Sequence, residues 1–236
     1  MEVGWRVVRD FMEVLEAEGG MFALYRGHAD SSWKLIPSAY RPGSYGITDP
    51  RHLQEWKREA ARFALHVPRD NVEWLILAQH FGMPTALLDW TTSPLVALFF
   101  ACDGDEHAKA DGCILRGDQK QFDEPLDNLT VDVFAPSRAK PLMINGVGSN
   151  ARSTAQDSIL SLHTKSDYAM PHVRSIFTVP ADKKKSTLDA LKKLGFTGER
   201  LHFDITKLVA RIKRDRASRT ISAGAPPPKT RKAPPK

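Results

Sequence analysis

Three stretches of this chain set polar, chemistry-bearing side chains into apolar surroundings. The first is Tyr25-Arg26-Gly27-His28. Arg26 offers a rigid fork of N–H donors that matches a phosphate or a carboxylate. Gly27, with no Cβ, lets a ligand or another backbone come close. An ion pair between Arg26 and an internal acid such as Asp89 is the competing reading. The second stretch is residues 74–101, WLILAQHFGMPTALLDWTTSPLVALFFA. Here Gln79 and His80 stand before Phe81-Gly82, and Asp89, Thr91, Thr92 and Ser93 interrupt an apolar block. A buried polar group left unpaired costs about 1–3 kcal/mol, so these groups either pair with one another or face a ligand. The third is Ala151-Arg152-Ser153-Thr154-Ala155-Gln156, after a Gly-rich loop. Arg152 and Gln156 there are anchors able to grip a ligand, or parts of a solvated loop.

The remaining chemistry narrows by what the sequence lacks. It has no GxGxxG, P-loop, GxSxG or HExxH pattern and no metal-ligand spacing. Two cysteines, Cys102 and Cys113, make no disulfide framework. No apolar run reaches the roughly 18 residues of a membrane span, and the acids and bases of residues 1–20 do not form a signal peptide. A cytoplasmic protein with no metal and no membrane partner is expected. Over 236 residues, 42% hydrophobic and 26% charged, there is enough apolar material for one sizeable core.

The net charge of +6 is unevenly placed. Residues 211–236 hold nine Lys/Arg and one acid, Asp215, or +8, so the other 210 residues sum to −2. The reading is a globular domain over 1–212 and a basic Pro/Ala-rich disordered tail over 213–236. Such a tail serves either as a solvated extension or as a non-specific nucleic-acid contact through 211–236.

The elements that must position these residues read as follows. Trp5, Val8, Phe11, Met12 and Leu15 recur at helical spacing up to Gly19-Gly20. Phe22–Tyr25 is a short strand running into Arg26, with Trp33–Ile36 as its partner. A helix covers about 51–66, and a second starts at Asp70 or Asn71 and ends at Phe81 before Gly82. Thr85–Trp90 is a buried strand. Thr92 or Ser93 caps a helix over Leu95–Cys102, apolar nearly all round and therefore central. His80 at a helix C-terminus is favoured by the dipole when charged, and the free N–H groups after Ser93 suit an anion. Gly112–Leu115, Thr130–Phe134, Ser158–His163 and Arg174–Val179 read as strands, 140–150 as a loop, and Asp182–Leu194 and Asp204–Ile212 as helices. Helices first and strands later argue α+β, with N-terminal helices packed on a mostly antiparallel, possibly split, β-sheet.

The ordered residues Tyr25-Arg26-Gly27, Trp33-x-Leu35-x-Pro37-Ser38, Arg41, Ala78-Gln79-His80-Phe81-Gly82-Met83-Pro84-Thr85, Leu87-Leu88-Asp89-Trp90-Thr91 and Ser93-Pro94 resemble the FRG domain family. That family is named for its Phe/Tyr-Arg-Gly element. The resemblance extends through Arg152-x-x-Ala155-Gln156 and Leu162-His163 to cover about 5–212. It departs from the family at three places. His28 stands where Gln is usual, Ala86 where Arg is usual, and Asp157-Ser158-Ile159-Leu160 where Gln-Gly-x-Phe is usual.

The order of these elements is in turn similar to the three-part arrangement of ADP-ribosyltransferase folds. By that similarity Arg26, Asp89 and Gln156 would be the catalytic set, with NAD as cofactor. Arg26, Gly27, His28, Gln79, His80, Thr91, Ser93 and Arg152 would line its site. The resemblance implies an NAD-dependent transferase or glycohydrolase acting on a macromolecular acceptor, in a bacterial or phage toxin or defence setting. A non-catalytic module that binds nucleic acid or protein is the alternative. Either way Arg26, Gln79, His80, Asp89 and Gln156 are expected to meet in one pocket.

Overall fold

A computed structural model describes residues 2–19, 23–63, 67–124, 130–145, 157–165, 170 and 172–202. Its helices are α1 (Glu2–Glu18), α2 (Pro50–Ala60), α3 (Asn71–His80), α4 (Pro94–Cys102), α5 (Lys184–Lys193) and α6 (Gly198–His202). Its strands are β1 (Ala23–His28), β2 (Leu87–Thr91), β3 (Gly112–Asp118), β4 (Leu142–Asn145), β5 (Ser158–Leu162) and β6 (Arg174–Val179). The strands form one sheet in the order β4-β5-β2-β1-β3-β6, and all five neighbouring pairs are antiparallel. The fold is α+β.

Local chemistry explains most boundaries. The Asp49 carboxylate accepts from the N–H groups of Arg51 and His52 and, with Pro50 at the first position, starts α2. Asp70 caps α3 by accepting from Glu73 N–H, and Gly82, at φ +86°, ends it in the left-handed region. At α4 the Ser93 side chain makes no cap bond; instead the Thr91 hydroxyl accepts from Ser93 N–H at 3.0 Å.

Some expectations are corrected. Trp33–Ile36 is not a strand, because both edges of β1 are already taken by β2 and β3; an Asx turn, Ser32 N–H to Asp30 Oδ1 at 2.9 Å, leads into it instead. Thr130–Phe134 is not a strand either: the Asp132 carboxylate accepts from Phe134 N–H and turns the chain. Conversely, Leu142–Asn145, read as loop, is β4. Its Ile144 is fully buried in one core while Met143 packs on the opposite face, the alternation of a strand. The first helix after Asp49 stops at Ala60 rather than 66, and β1 continues to His28, so Arg26 lies within a strand. The expected 204–212 helix and the 213–236 tail lie outside the described residues.

The helices gather on one face of the sheet as two groups. Around α1, α4 and α5 lies a core of Phe11, Tyr25, Leu98, Ile114, Val179 and Leu191. Around α2 and α3 lies a second core of Leu53, Val72, Leu75, Leu87, Ile144 and Leu162. The opposite face carries a smaller cluster on Leu24, Trp90 and Phe122. Each main core therefore belongs to half of the sheet, β1-β3-β6 or β4-β5-β2. The halves meet at one paired position, Tyr25↔Thr91, whereas β1 and β3 pair at six positions and β2 and β5 at five. The sheet is continuous but nearly parted at its centre.

α4 lies directly on the sheet because glycines let it. A Cβ on Gly27 would stand 2.0 Å from the Ala97 carbonyl oxygen, and one on Gly112 equally close to that of Ala101. Both obstacles are helix backbone, which cannot swing aside. Gly27→Ala must lift α4 off β1. Overpacking of this kind costs about 1–3 kcal/mol or more, and urea unfolding should report a loss in that range with an unchanged m-value.

Candidate functional site

Past Tyr25↔Thr91 the central strands diverge, and a cleft of about 280 Å³ opens between them. Arg26 and Gly27 of β1, Asp89 and Thr91 of β2, and Phe100 and Asp103 of α4 and its end line it, together with Trp33 and His107 from two loops. Arg26 bridges the divergence. Its Nη1 donates to the main-chain oxygen of Asp89 at 2.5 Å, a side-chain substitute for the ladder bond that β1 no longer makes. Its Nε donates to His28 Nε2 at 3.1 Å. The nearest carboxylate oxygen, Asp89 Oδ2, is 3.9 Å from Nη1. A cation only 18% exposed thus rests mainly on neutral acceptors. Burial lowers the pKa of Arg26, Asp89 opposes that, and Arg41 adds to it.

His28 is almost wholly buried. Because its Nε2 accepts from Arg26, its ring proton sits on Nδ1. Burial, and then the charges of Arg26 and Arg41, push its pKa down to about 3. The ring stays neutral and keeps its acceptor lone pair facing the guanidinium.

The Asp89 carboxylate, half exposed, is positioned by α3. Gln79 Nε2 donates to Asp89 Oδ2 at 2.8 Å. The Thr85 hydroxyl donates to Gln79 Oε1 at 2.7 Å and accepts from Leu87 N–H. Thr85 also exchanges bonds with the 38–41 turn: its N–H donates to Ser38 Oγ, and its carbonyl accepts from the Ser38 hydroxyl and from Ala39 N–H. Helix, strand and the 38–41 turn are thereby locked to one another.

Of the residues nominated from sequence, Arg26, Asp89 and Thr91 line this cleft; Gln79 does not line it but holds Asp89 from behind, and His28 stands behind Arg26. Gly27 lines it, yet its missing Cβ is accounted for by α4. Ser93 contributes its N–H to Thr91. His80, next to Gln79, is not among the residues lining the cleft; its ring packs edge-on against Phe81 at 5.0 Å. Arg152 and Gln156 lie outside the described residues. Ala86, where an Arg is usual, is buried in the α2–α3 core.

Sequence reasoning missed the far wall. Trp33, 41% exposed, meets His107 edge-to-face at 4.6 Å. The Lys184 ammonium reaches the carbonyls of Ala29 and His107 and ties both loops to α5. Asp103, at the opposite end, is 2.7 Å from His202 Nε2. A lone Trp flanked by turn residues is a weak signal for a wall, and Lys184 and His202 lie far from the motif in sequence. Among the described residues no group of His, Cys, Asp and Glu could hold a metal, and no helix is long and apolar enough to cross a membrane. Both cysteines are buried, and burial pushes Cys102 up to about 12, so it is not a thiolate at neutral pH.

The His28 geometry has a pH consequence. Its folded pKa lies below the ordinary 6.5, so the unfolded chain binds the extra proton first. Stability is whole above pH 6.5 and falls toward pH 3, by up to about 1.4 kcal/mol per unit. In His28→Gln the amide oxygen can still accept from Arg26 but does not titrate. Denaturant midpoints between pH 7 and 4 should fall less steeply in that variant than in the native chain; equal slopes would show that His28 does not govern the window.

Comparison with curated proteins and with solved structures finds no match. A family model does match, over residues 22–110, and its description is the FRG domain. The span is shorter than the 5–212 resemblance read by eye and stops just before β3. It still holds β1, α2, α3, β2 and α4, and with them every residue of the Arg26–Asp89–Gln79–Thr85 network. Residues 22–110 of this chain thus match the model of the FRG domain, the family that the sequence motifs resemble.

Proposed function

We propose that the cleft binds a nucleotide through its phosphates and that the protein is an NAD-dependent enzyme similar to ADP-ribosyltransferases. One observation carries the reading. The Arg26 guanidinium is held in the cleft wall by an imidazole nitrogen and a peptide oxygen, and among the described residues its Nη2 has no hydrogen-bond partner. A phosphate is the natural complement for a fork so placed. Three features support NAD in particular. Trp33 and Phe100 offer aromatic faces to a flat ring. Asp89 sets a carboxylate beside Arg26, and Gln79 keeps it from closing on the guanidinium.

NAD, when bound, supplies an ADP-ribosyl group whose bond to nicotinamide breaks with positive character on the ribose. Against that charge Asp89 is the complementary group, because a fixed carboxylate in a cleft needs no reorganisation to act. Arg26 holds the phosphates. Thr91, buried at the junction, orients the start of α4. A macromolecular acceptor would approach from the Trp33 and His107 side.

The test is thermal shift and radiolabel transfer on the whole chain, with NAD, ADP-ribose and ATP as ligands. NAD or ADP-ribose should raise Tm. Arg26→Ala should weaken binding roughly 10- to 100-fold, the range of a lost charged hydrogen bond. Asp89→Asn should leave binding in place and slow nicotinamide release about 10²-fold or more. If no nucleotide shifts the native chain, and Arg26→Ala only lowers its Tm, Arg26 is a strut and the enzymatic reading fails.

A further inference from the structure

The cleft carries a second carboxylate, Asp103, that the proposed chemistry does not use. Asp103 follows the last turn of α4, where its N–H donates to the Phe99 carbonyl at 2.9 Å. Val96, Ala97 and Phe100 recur at helical spacing on the face of α4 that floors the cleft, and Asp103 completes that face. The helix begins beside β2, where the Thr91 hydroxyl accepts from Ser93 N–H. It spans nine residues, roughly 13 Å along its axis. The floor therefore runs from the Arg26–Asp89 junction at one end to the Asp103 carboxylate at the other. A carboxylate at the C-terminal end of a helix faces the negative pole of the dipole, so it needs donors. His202, at the end of α6, is one, with its Nε2 2.7 Å from Asp103 Oδ2. An ionised carboxylate has no hydrogen to give, so Nε2 carries the proton. The His202 ring stands edge-on to Phe100 and Phe99, with centroids 5.6 and 6.1 Å apart, which fixes the direction of that bond. The Asp103 side chain is 31% exposed and so within reach of a ligand. A carboxylate has about four acceptor positions, so it can take donors from a ligand as well as from His202.

We infer that Asp103, oriented by His202, accepts the 2′- and 3′-hydroxyls of a ribose whose phosphates lie at Arg26, so that the cleft selects ribonucleotides over deoxyribonucleotides. A cis-diol offers two O–H donors on adjacent carbons, the pattern that a carboxylate receives. Phosphates offer only acceptors and are repelled by Asp103, so a nucleotide enters the cleft one way round. A deoxy sugar leaves a partly desolvated carboxylate short of a donor, and a site built to bond a hydroxyl rejects the analogue that lacks it. The inference rests on the nucleotide reading of the cleft and narrows it to nucleotides with an intact ribose.

The experiment is calorimetric titration of the whole chain with ADP, 2′-deoxy-ADP and 3′-deoxy-ADP. The variants are Asp103→Asn, Asp103→Ala and Arg26→Ala. Asparagine keeps the shape of the side chain and an oxygen that accepts from His202, so it preserves the tie between α4 and α6. The native chain should bind ADP at least about tenfold more tightly than either deoxy form, the scale of one charge-assisted hydrogen bond. Asp103→Asn should cut that ratio to about threefold or less, mainly by weakening ADP, because a neutral amide oxygen is the poorer acceptor. Asp103→Ala should abolish the ratio. Arg26→Ala should weaken all three nucleotides alike and leave the ratio in place, since the guanidinium carries affinity and the carboxylate carries selection. A native chain that binds all three equally overturns the role of Asp103, as do Asp103 variants that lower Tm and all three affinities in step; the nucleotide reading survives both results. If none of the three binds the native chain, the nucleotide reading itself fails and the selection of ribose falls with it.

Discussion

The central strands of this sheet share one paired position, and most of what is distinctive about the molecule follows from it. A strand pair that stays in register buries its main-chain groups in the ladder. Here β1 and β2 part after Tyr25↔Thr91, and the groups that would have paired need other partners. Arg26 supplies one with its side chain, bonding to the Asp89 carbonyl. The same bond that closes the structure opens the chemistry, because it fixes a cation in the wall of the gap. An ordinary ladder at this point would leave neither cleft nor cation.

The parting is stable because each half-sheet has its own helices and its own core. α4 seats on β1 and β3 through backbone contact at Gly27 and Gly112, while α3 seats on β2 through Leu87. The gap is therefore a boundary between two packed bodies rather than a defect within one. Bonds that cross the boundary are polar and specific. Arg26 to Asp89 is one; within the β4-β5-β2 half, Trp90 Nε1–H to Ser161 Oγ, continued to His163, keeps the β2–β5 side in order. Polar groups buried at a boundary are worth having only if all are satisfied, and the chain Ser38–Thr85–Gln79–Asp89 meets that condition.

How much of this was legible in the sequence depends on where the information resides. The α+β class and the polar constellation at 79–93 were readable because apolar periodicity and caps are local properties. The junction was not, since strand pairing is a property of two distant segments and nothing in Leu87–Thr91 states how far it runs beside β1. β4 was missed for a related reason. Asn145-Gly146 signalled a turn strongly enough to hide the alternation of Leu142, Met143 and Ile144 before it. Gly27 was read as room for a ligand or a backbone; both were consistent with a missing Cβ, and only the position of Ala97 decides for the helix.

The departure at position 28 ties these threads together. Where the family usually has Gln, this chain has a histidine whose Nε2 accepts from Arg26. A glutamine carbonyl could do the same at any pH. An imidazole does it only while neutral, and here the cation it holds is one of the charges that keep it neutral. Guanidinium and imidazole are thus mutually dependent: protonating His28 would remove the acceptor for Nε and place a like charge beside it. An anion in the cleft would offset part of the positive charge around the ring and ease its protonation. Binding of an anion there would therefore be coupled to His28 protonation through Arg26, whereas a glutamine at position 28 would leave the guanidinium's orientation independent of both.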